Sequence, residues 1–257
     1  MDRLTVVKIG GQVIDDPVKL AHVLSGFLKL EGLKLLVHGG GKKASEMSLR
    51  LGVKPRLVEG RRITDEESLE VVTMVYGGLV NKTIVAQLQS LGENAIGLSG
   101  ADANVIPAHK RTHASIDYGY VGDFEVKDIN TTFIKNILYQ DITPVFCALT
   151  HDRKGSMLNT NADTLAAGVA LSLADTFDVT LVYCFEKAGV LLDIDDESSL
   201  LKQLSFSHYQ QLKRSGAITD GMIPKLDNAF NASKGGVNVT IKDALNLNED
   251  IGTALTS

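Results

Sequence analysis

Leu35-Leu36-Val37-His38-Gly39-Gly40-Gly41-Lys42 is the stretch whose reading decides the fold. A short apolar run stops at a row of glycines, and helix-spaced apolar residues, Ala44, Met47 and Leu51, resume behind it. The pattern predicts a buried strand that turns sharply into a helix N-terminus. Without side chains there, backbone N–H groups can approach a ligand closely, and the helix dipole favours an anion. The same plan occurs upstream, where Leu4-Thr5-Val6-Val7-Lys8-Ile9 runs into Gly10-Gly11. Two glycine-tipped strands, one carrying Lys8, point to a floor built for phosphate; a glycine-rich turn without a ligand is the plainer alternative. Gly39 to Ala44 also satisfies G-x-G-x-x-A, a weak dinucleotide signal when it stands alone. No Gly-x-x-x-x-Gly-Lys-Ser/Thr loop occurs in the chain.

The 257 residues, 44 % apolar and 22 % charged, suit a globular chain with a sizeable core, in one large α/β domain or two lobes. A net charge of −5 without a basic stripe argues against nucleic acid as a partner. The longest apolar runs look too short for a bilayer, and the chain enters a strand at once. Neither a membrane span nor a signal peptide is therefore expected, and the expected location is the cytoplasm. Cys147 and Cys184 lie in apolar runs without metal-ligand spacing and read as reduced core thiols.

Along the chain, Asp16-Pro17 reads as the N-cap and first residue of a helix. Residues 34–38 form the next strand, so the first crossover is parallel and right-handed. Residues 58–63 alternate like a short hairpin and carry Arg61-Arg62. Thr64-Asp65-Glu66-Glu67 has the form of a capping box. It opens a helix that stops at Gly77-Gly78 and resumes over 79–91. Residues 105–126 look irregular, 143–149 read as one apolar strand, and 152–158 as a hairpin turn into Asn159-Thr160-Asn161-Ala162-Asp163. Strand 179–184, helical runs 208–213 and 223–234, and a last clear strand 238–241 follow. The alternation predicts an open, mostly parallel α/β sandwich. Two lobes, if formed, join near 173–178.

In such sheets ligands bind beyond the carboxyl ends of the strands. Those places hold Lys8, the glycines, Arg62, Asn159, Asn161, Asp163 and Lys225. A lysine inside an apolar strand needs a partner, unless it sits on an edge and reaches water. Asp163 begins a helix, where capping is its ordinary use. Lys225 follows Pro224 in a first helical turn and opposes the dipole, which hints at a bound anion, a solvated surface lysine being the alternative. His109 and His113 lack the H-E-x-x-H pattern of a zinc site, so no metal ligands are assigned. No G-x-S-x-G elbow is present, and neither cysteine has a nucleophile's setting. Two lysines, backbone amides, an aspartate and no general base fit phosphoryl transfer to a carboxylate. That acceptor is already ionised at about pH 7 and has no proton to lose. The barrier is then the meeting of two anions, which fixed cations and Mg²⁺ would lower.

Lys8-Ile9-Gly10-Gly11, His38-Gly39-Gly40-Gly41, Gly60-Arg61-Arg62-Ile63-Thr64, Asn159-Thr160-Asn161-Ala162-Asp163 and Thr219-Asp220-Gly221-Met222-Ile223-Pro224-Lys225 together resemble the amino acid kinase family, and within it the kinases of N-acetylglutamate. The motifs keep the family's order over nearly the whole chain. The resemblance implies an eight-stranded, open, mostly parallel sheet between helices, the carbamate kinase-like fold, in two lobes. Residues 1–175 would bind the acyl-amino acid and dimerise, and residues 176–257 would bind the nucleotide. It implies a cytoplasmic, homodimeric, ATP- and Mg²⁺-dependent kinase of arginine biosynthesis that forms an acyl phosphate on the γ-carboxylate of an N-acylated glutamate. By position, Lys8 and Lys225 would neutralise the transferring phosphoryl group and Asp163 would organise them. Gly10, Gly11, Gly40 and Gly41 would offer amides to the phosphates and the acyl-amino acid, and Arg62 and Asn159 would hold the latter's α-carboxylate and neighbouring atoms. Glu186, Lys187, Gly189, Ile218 and Thr219 would border the nucleotide.

Two features depart from the family pattern. Phe185-Glu186-Lys187-Ala188-Gly189-Val190 lacks the usual Ser/Thr followed by Asp/Asn before the Gly-Val of the nucleotide loop. The first strand also lacks the preceding helix of arginine-inhibited relatives, so no arginine inhibition and a dimer rather than a hexamer are expected. The rivals are a family kinase of another carboxylate and a catalytically silent nucleotide-binding regulator. Acetyl is the family's usual acyl group, with succinyl the alternative.

Overall fold

Apolar residues in the interior strands come in near-continuous runs because both faces of the sheet are covered. The computed structural model describes residues 1–58, 61–193, 195–218 and 222–256. The sheet is built from β1 (Arg3–Ile9), β2 (Leu33–His38), β3 (Ala95–Leu98), β4 (Thr143–Cys147), β5 (Asp178–Phe185), β6 (Gln203–Ser205), β7 (Asn238–Asp243) and β8 (Thr253–Thr256). These make one eight-stranded sheet in the order β6-β8-β7-β5-β1-β2-β4-β3. All neighbours are parallel except β7 and β8. The fold is the mostly parallel α/β sandwich that the sequence predicts.

The helices are α1 (Gly11–Asp15), α2 (Pro17–Leu28), α3 (Gly41–Arg50), α4 (Glu66–Thr73), α5 (Asn81–Ser90), α6 (Thr131–Leu138), α7 (Ala162–Leu173), α8 (Phe206–Ser215) and α9 (Ile223–Lys234). Alternate residues of β1 serve opposite faces. Leu4 and Val6 share a core with Leu165 and Val169 of α7 and Leu226 and Ala229 of α9. Val7 and Ile9 share another with Leu20, Val23 and Leu24 of α2 and Ile84 and Leu88 of α5. From β1 the chain moves to β2 on one side, and after α7 it returns to β5 on the other. The carboxyl end of β1 is thus the switch point, where such sheets leave a crevice.

Several local expectations need correction. Thr64 is not the cap of its helix: Asp65 accepts from the Ser68 N–H, and Thr64 is buried behind it. The helix does not stop at Gly77-Gly78 but continues through a π-helical stretch, Met74–Val80, into α5. The resulting helical stretch Glu66–Ser90 is 25 residues long and holds an apolar window long enough for a bilayer span, longer than the apolar runs suggested. It packs Val71, Val72, Val75, Ile84 and Leu88 into the core, as a core helix does. Strand β4 ends at Cys147, and Leu149–His151 pairs instead with Met157–Asn159 as a separate hairpin. The short strands β6, at one edge of the sheet, and β8, beside it, carry no sequence pattern that announces them. Asp16 does cap α2, accepting from the N–H groups of Val18 and Lys19, with Pro17 at the first position.

Candidate active site

Three helices start at the carboxyl ends of the central strands or face them, and none has a side-chain cap: α1 behind Gly10, α3 behind Gly40, and α9 behind Met222. Their first N–H groups are left for another acceptor. Gly40 is glycine for a steric reason. Its φ is +152°, and a Cβ there would lie 2.9 Å from Tyr76 Cδ1. Tyr76 belongs to the π-helical stretch, which aims the ring at the glycine turn; π-turns often mark such sites. His38, fully buried, braces the same turn. Its Nδ1 lies 2.8 Å from the Gly39 carbonyl and its Nε2 3.0 Å from Asn81 Nδ2. Burial lowers its pKa to about 4, so the neutral ring donates from Nδ1 to Gly39 and accepts at Nε2 from Asn81.

Two clefts meet at the end of β1. The first, about 470 Å³, is bordered by Gly40, Gly41, Arg62, Tyr76, Asn159 and Asp163. The second, about 730 Å³, has an apolar side made by Val190, Leu191, Leu192, Ile218 and Met222, and a polar side with Glu186, Lys187 and Lys225. Gly189 also borders it. Lys8, Gly10, Gly11 and Lys42 border both. The residues singled out in the sequence are therefore gathered around one junction. Thr219 lies outside the described residues, as do Gly60, Asp220 and Gly221 of the motifs.

Lys8 is not an edge lysine. It stands on a central strand, 6 % exposed, with Nζ 2.7 Å from Asp163 Oδ1. Asp163 Oδ1 has no partner of hydrogen-bond geometry, so the contact is a charge pair held by position. Capping of α7 falls to Asn161, whose side chain accepts from the Thr164 N–H at 2.9 Å. Asp163 is thereby free to face Lys8. The backbone carbonyl of Asp163 accepts from the Tyr183 hydroxyl at 2.9 Å, tying α7 to β5. Lys225, in the first turn of α9, reaches the same junction from the other side; its Nζ is 4.3 Å from the centre of the Phe185 ring. Burial lowers its pKa; nearby Asp163 opposes that shift, Lys8 adds to it and Glu186 opposes it.

In the first cleft, Arg62 is nearly buried. Its Nη2 donates to the Gly41 carbonyl at 2.8 Å and to Ser45 Oγ at 2.7 Å, while Nη1 is buried without a partner. An unsatisfied guanidinium N–H beside a cleft is a waiting site for an anionic oxygen. Asn159 Nδ2 donates to Thr64 Oγ1 at 3.0 Å, which fixes the amide's orientation. Arg111, from the irregular stretch, borders this cleft as well and pairs with Asp123. Sequence reasoning did not find Tyr76, Arg111 or the placing of Phe185. Only Phe185 carried a signal, as part of the departure of Phe185-Glu186-Lys187-Ala188-Gly189-Val190 from the expected nucleotide-loop pattern. Both thiols are buried, and burial pushes each up to about 12, which leaves them inert as nucleophiles.

The profile of the amino acid kinase family matches residues 3–243. The acetylglutamate kinase of Phocaeicola vulgatus is 51 % identical, over 99 % of this chain and 98 % of its own. Among solved structures, the protein smu.665 of Streptococcus mutans superposes with a TM-score of 0.79 at 28 % identity, covering 98 % of both chains. Giardia carbamate kinase does so at 0.68 and 14 % identity, covering 100 % of this chain and 99 % of its own, a likeness of fold.

Proposed function

The chain belongs to the amino acid kinase family, and we propose that it transfers the γ-phosphoryl group of ATP to the γ-carboxylate of N-acetyl-L-glutamate, a step of arginine biosynthesis. The relative from Phocaeicola vulgatus, alike over almost the full length of both chains, supports the substrate. The junction at the end of β1 supports the chemistry, because Lys8 and Lys225 meet there between a cleft with an unpaired guanidinium N–H and a cleft with an apolar wall.

The acyl-amino acid occupies the first cleft. Arg62 Nη1 takes its α-carboxylate, Asn159 a neighbouring polar atom, and the amides of Gly40 and Gly41 the carboxylate that reacts. The base lies against Val190, Leu191 and Met222, near Glu186, Lys187, Gly189 and Ile218, and its phosphates run toward Gly10, Gly11 and the start of α9. Lys8 and Lys225 then flank the transferring group and neutralise charge as it spreads over the equatorial oxygens. Asp163 holds the Lys8 ammonium in place. No side chain need act as base, since the acceptor arrives ionised.

Among the described residues no group of three or more His, Cys, Asp or Glu could hold a metal. This donor set suits Mg²⁺ arriving on the nucleotide, with phosphate oxygens and water as its ligands. When bound, Mg²⁺ would offset phosphate charge. The division of labour falls near residue 175, between α7 and β5, with acceptor binding and dimerisation before it and nucleotide binding after. A cytoplasmic homodimer completes the reading. In its support, Leu49 on α3, Leu51 just after it, and Met74 and Leu79 on the π-helical stretch that packs against α3 are exposed.

Coupled ADP release tests the function. N-acetylglutamate should be turned over with a KM below that of any other acceptor, and free glutamate at least about a hundredfold less efficiently, as loss of one buried polar contact to a charged group allows. Equal turnover of free glutamate would favour a kinase of another carboxylate, and no turnover of either a silent nucleotide-binding protein.

A further inference from the structure

One aromatic ring at the junction has no role in that reading. Phe185 is the last residue of β5, and it stacks on Tyr183 with ring centres 6.1 Å apart and planes 12° from parallel. The Tyr183 hydroxyl is anchored on the backbone of Asp163. Above Phe185 stand both lysines: Lys225 Nζ is 4.3 Å and Lys8 Nζ 5.8 Å from the ring centre.

We infer that Phe185 is a positioning residue for phosphoryl transfer, its ring face holding the Lys225 ammonium, and more loosely that of Lys8, at the junction of the two clefts without lending either a counter-charge. This rests on the proposed reaction. Lys8 has Asp163, but among the described residues no carboxylate lies within 4.0 Å of the Lys225 ammonium. Asp163 and Glu186 act on it only from farther away, while burial works against its charge. A carboxylate directly beneath Lys225 would cancel the charge that a phosphoryl group has to meet. An aliphatic side chain would leave the cation half-buried with no compensation. An aromatic face attracts a cation through its quadrupole and keeps the net charge. The stack on Tyr183 fixes where that face points, so the ring and Asp163 share one support.

The test uses wild type, Phe185→Leu and Phe185→Tyr with two readouts. The first is NMR of ¹³C-dimethylated lysines on the intact protein without substrates, the Lys225 signal assigned with Lys225→Arg. That signal should lie upfield from the ring current in wild type and Phe185→Tyr, and move to the position of exposed lysines in Phe185→Leu. The second is steady-state kinetics: Phe185→Leu should lower kcat about tenfold, within the range of a partly desolvated cation–π contact. KM for N-acetylglutamate should change less than about twofold, and Phe185→Tyr should recover most of the rate. An unshifted Lys225 signal in wild type overturns the inference, whatever the variants do. So does a kcat for Phe185→Leu equal to wild type, or equal loss in both variants. A shifted signal in a wild type that phosphorylates no acyl-glutamate sinks the proposed reaction and leaves the lysine–ring contact standing.

Discussion

Replacing Asp163 by asparagine keeps shape and volume and removes one charge. The pair it breaks is 2.7 Å long, with side chains only 8 % and 12 % exposed, so water screens it little. Lys8 would then be a nearly buried cation, with Lys225 as its neighbour across the Phe185 ring. Breaking a buried pair by removing one partner costs about 3–5 kcal/mol, and the amide oxygen that remains near Nζ places the expected loss at the lower end, about 3 kcal/mol. Nucleotide phosphates offer Lys8 the negative charge that Asp163 no longer supplies. MgADP should therefore stabilise Asp163→Asn more than it stabilises wild type, while kcat falls by about 100-fold or more because Lys8 is no longer held in place. Denaturant unfolding with and without MgADP measures the first effect and coupled ADP release the second. A loss under about 1 kcal/mol, or one that MgADP does not relieve, would refute the reasoning that this is a buried pair serving a phosphate site.

Arg62→Ala should raise KM for N-acetylglutamate by up to about 100-fold with kcat changed only a few-fold, because the lost contact to a charged oxygen is made in ground and transition states alike; a fall in kcat at constant KM contradicts that. His38 makes stability depend on pH. Its pKa is 6.5 ordinarily and about 4 in the fold, so between those values the unfolded chain binds the extra proton and stability falls as pH drops. The loss from pH 7 to 5 is about 2 kcal/mol. Urea unfolding at the two pH values should show it, and His38→Gln should flatten the slope; an unchanged slope in the variant removes His38 as the cause.

The central strands were legible because burial on both faces writes itself as apolar runs, and the glycine turns because Gly40 takes a backbone angle that other residues rarely adopt. Lys8 stood out since a charge in such a run needs a partner, and only the fold shows the partner to be Asp163. Strands β6 and β8 were not legible: their three and four residues are held by backbone pairing, which leaves no periodic mark. The capping pattern at 64–67 located a helix start but not the cap, since Thr64 and Asp65 are both able and only packing sends Thr64 inward toward Asn159. Tyr76 reads as one more core residue at helical spacing. Its approach to Gly40 comes from the π-helical stretch, which no residue pattern in Met74–Val80 announces. Phe185 stood out as a departure from a pattern, but its place over two ammoniums depends on where β5 ends and α9 begins.

The account depends most on fixed positive charge at the junction, and turnover of Lys225→Ala measures that most directly. Lys225 is half-buried and has no ion-pair partner among the described residues, so its removal strands no opposite charge and should leave the melting temperature near that of wild type. The expected result is a kcat about 100- to 1,000-fold lower, the cost of deleting one preorganised charge-stabilising group, with KM for N-acetylglutamate nearly unchanged. A folded Lys225→Ala enzyme that keeps near-normal kcat would contradict the claim.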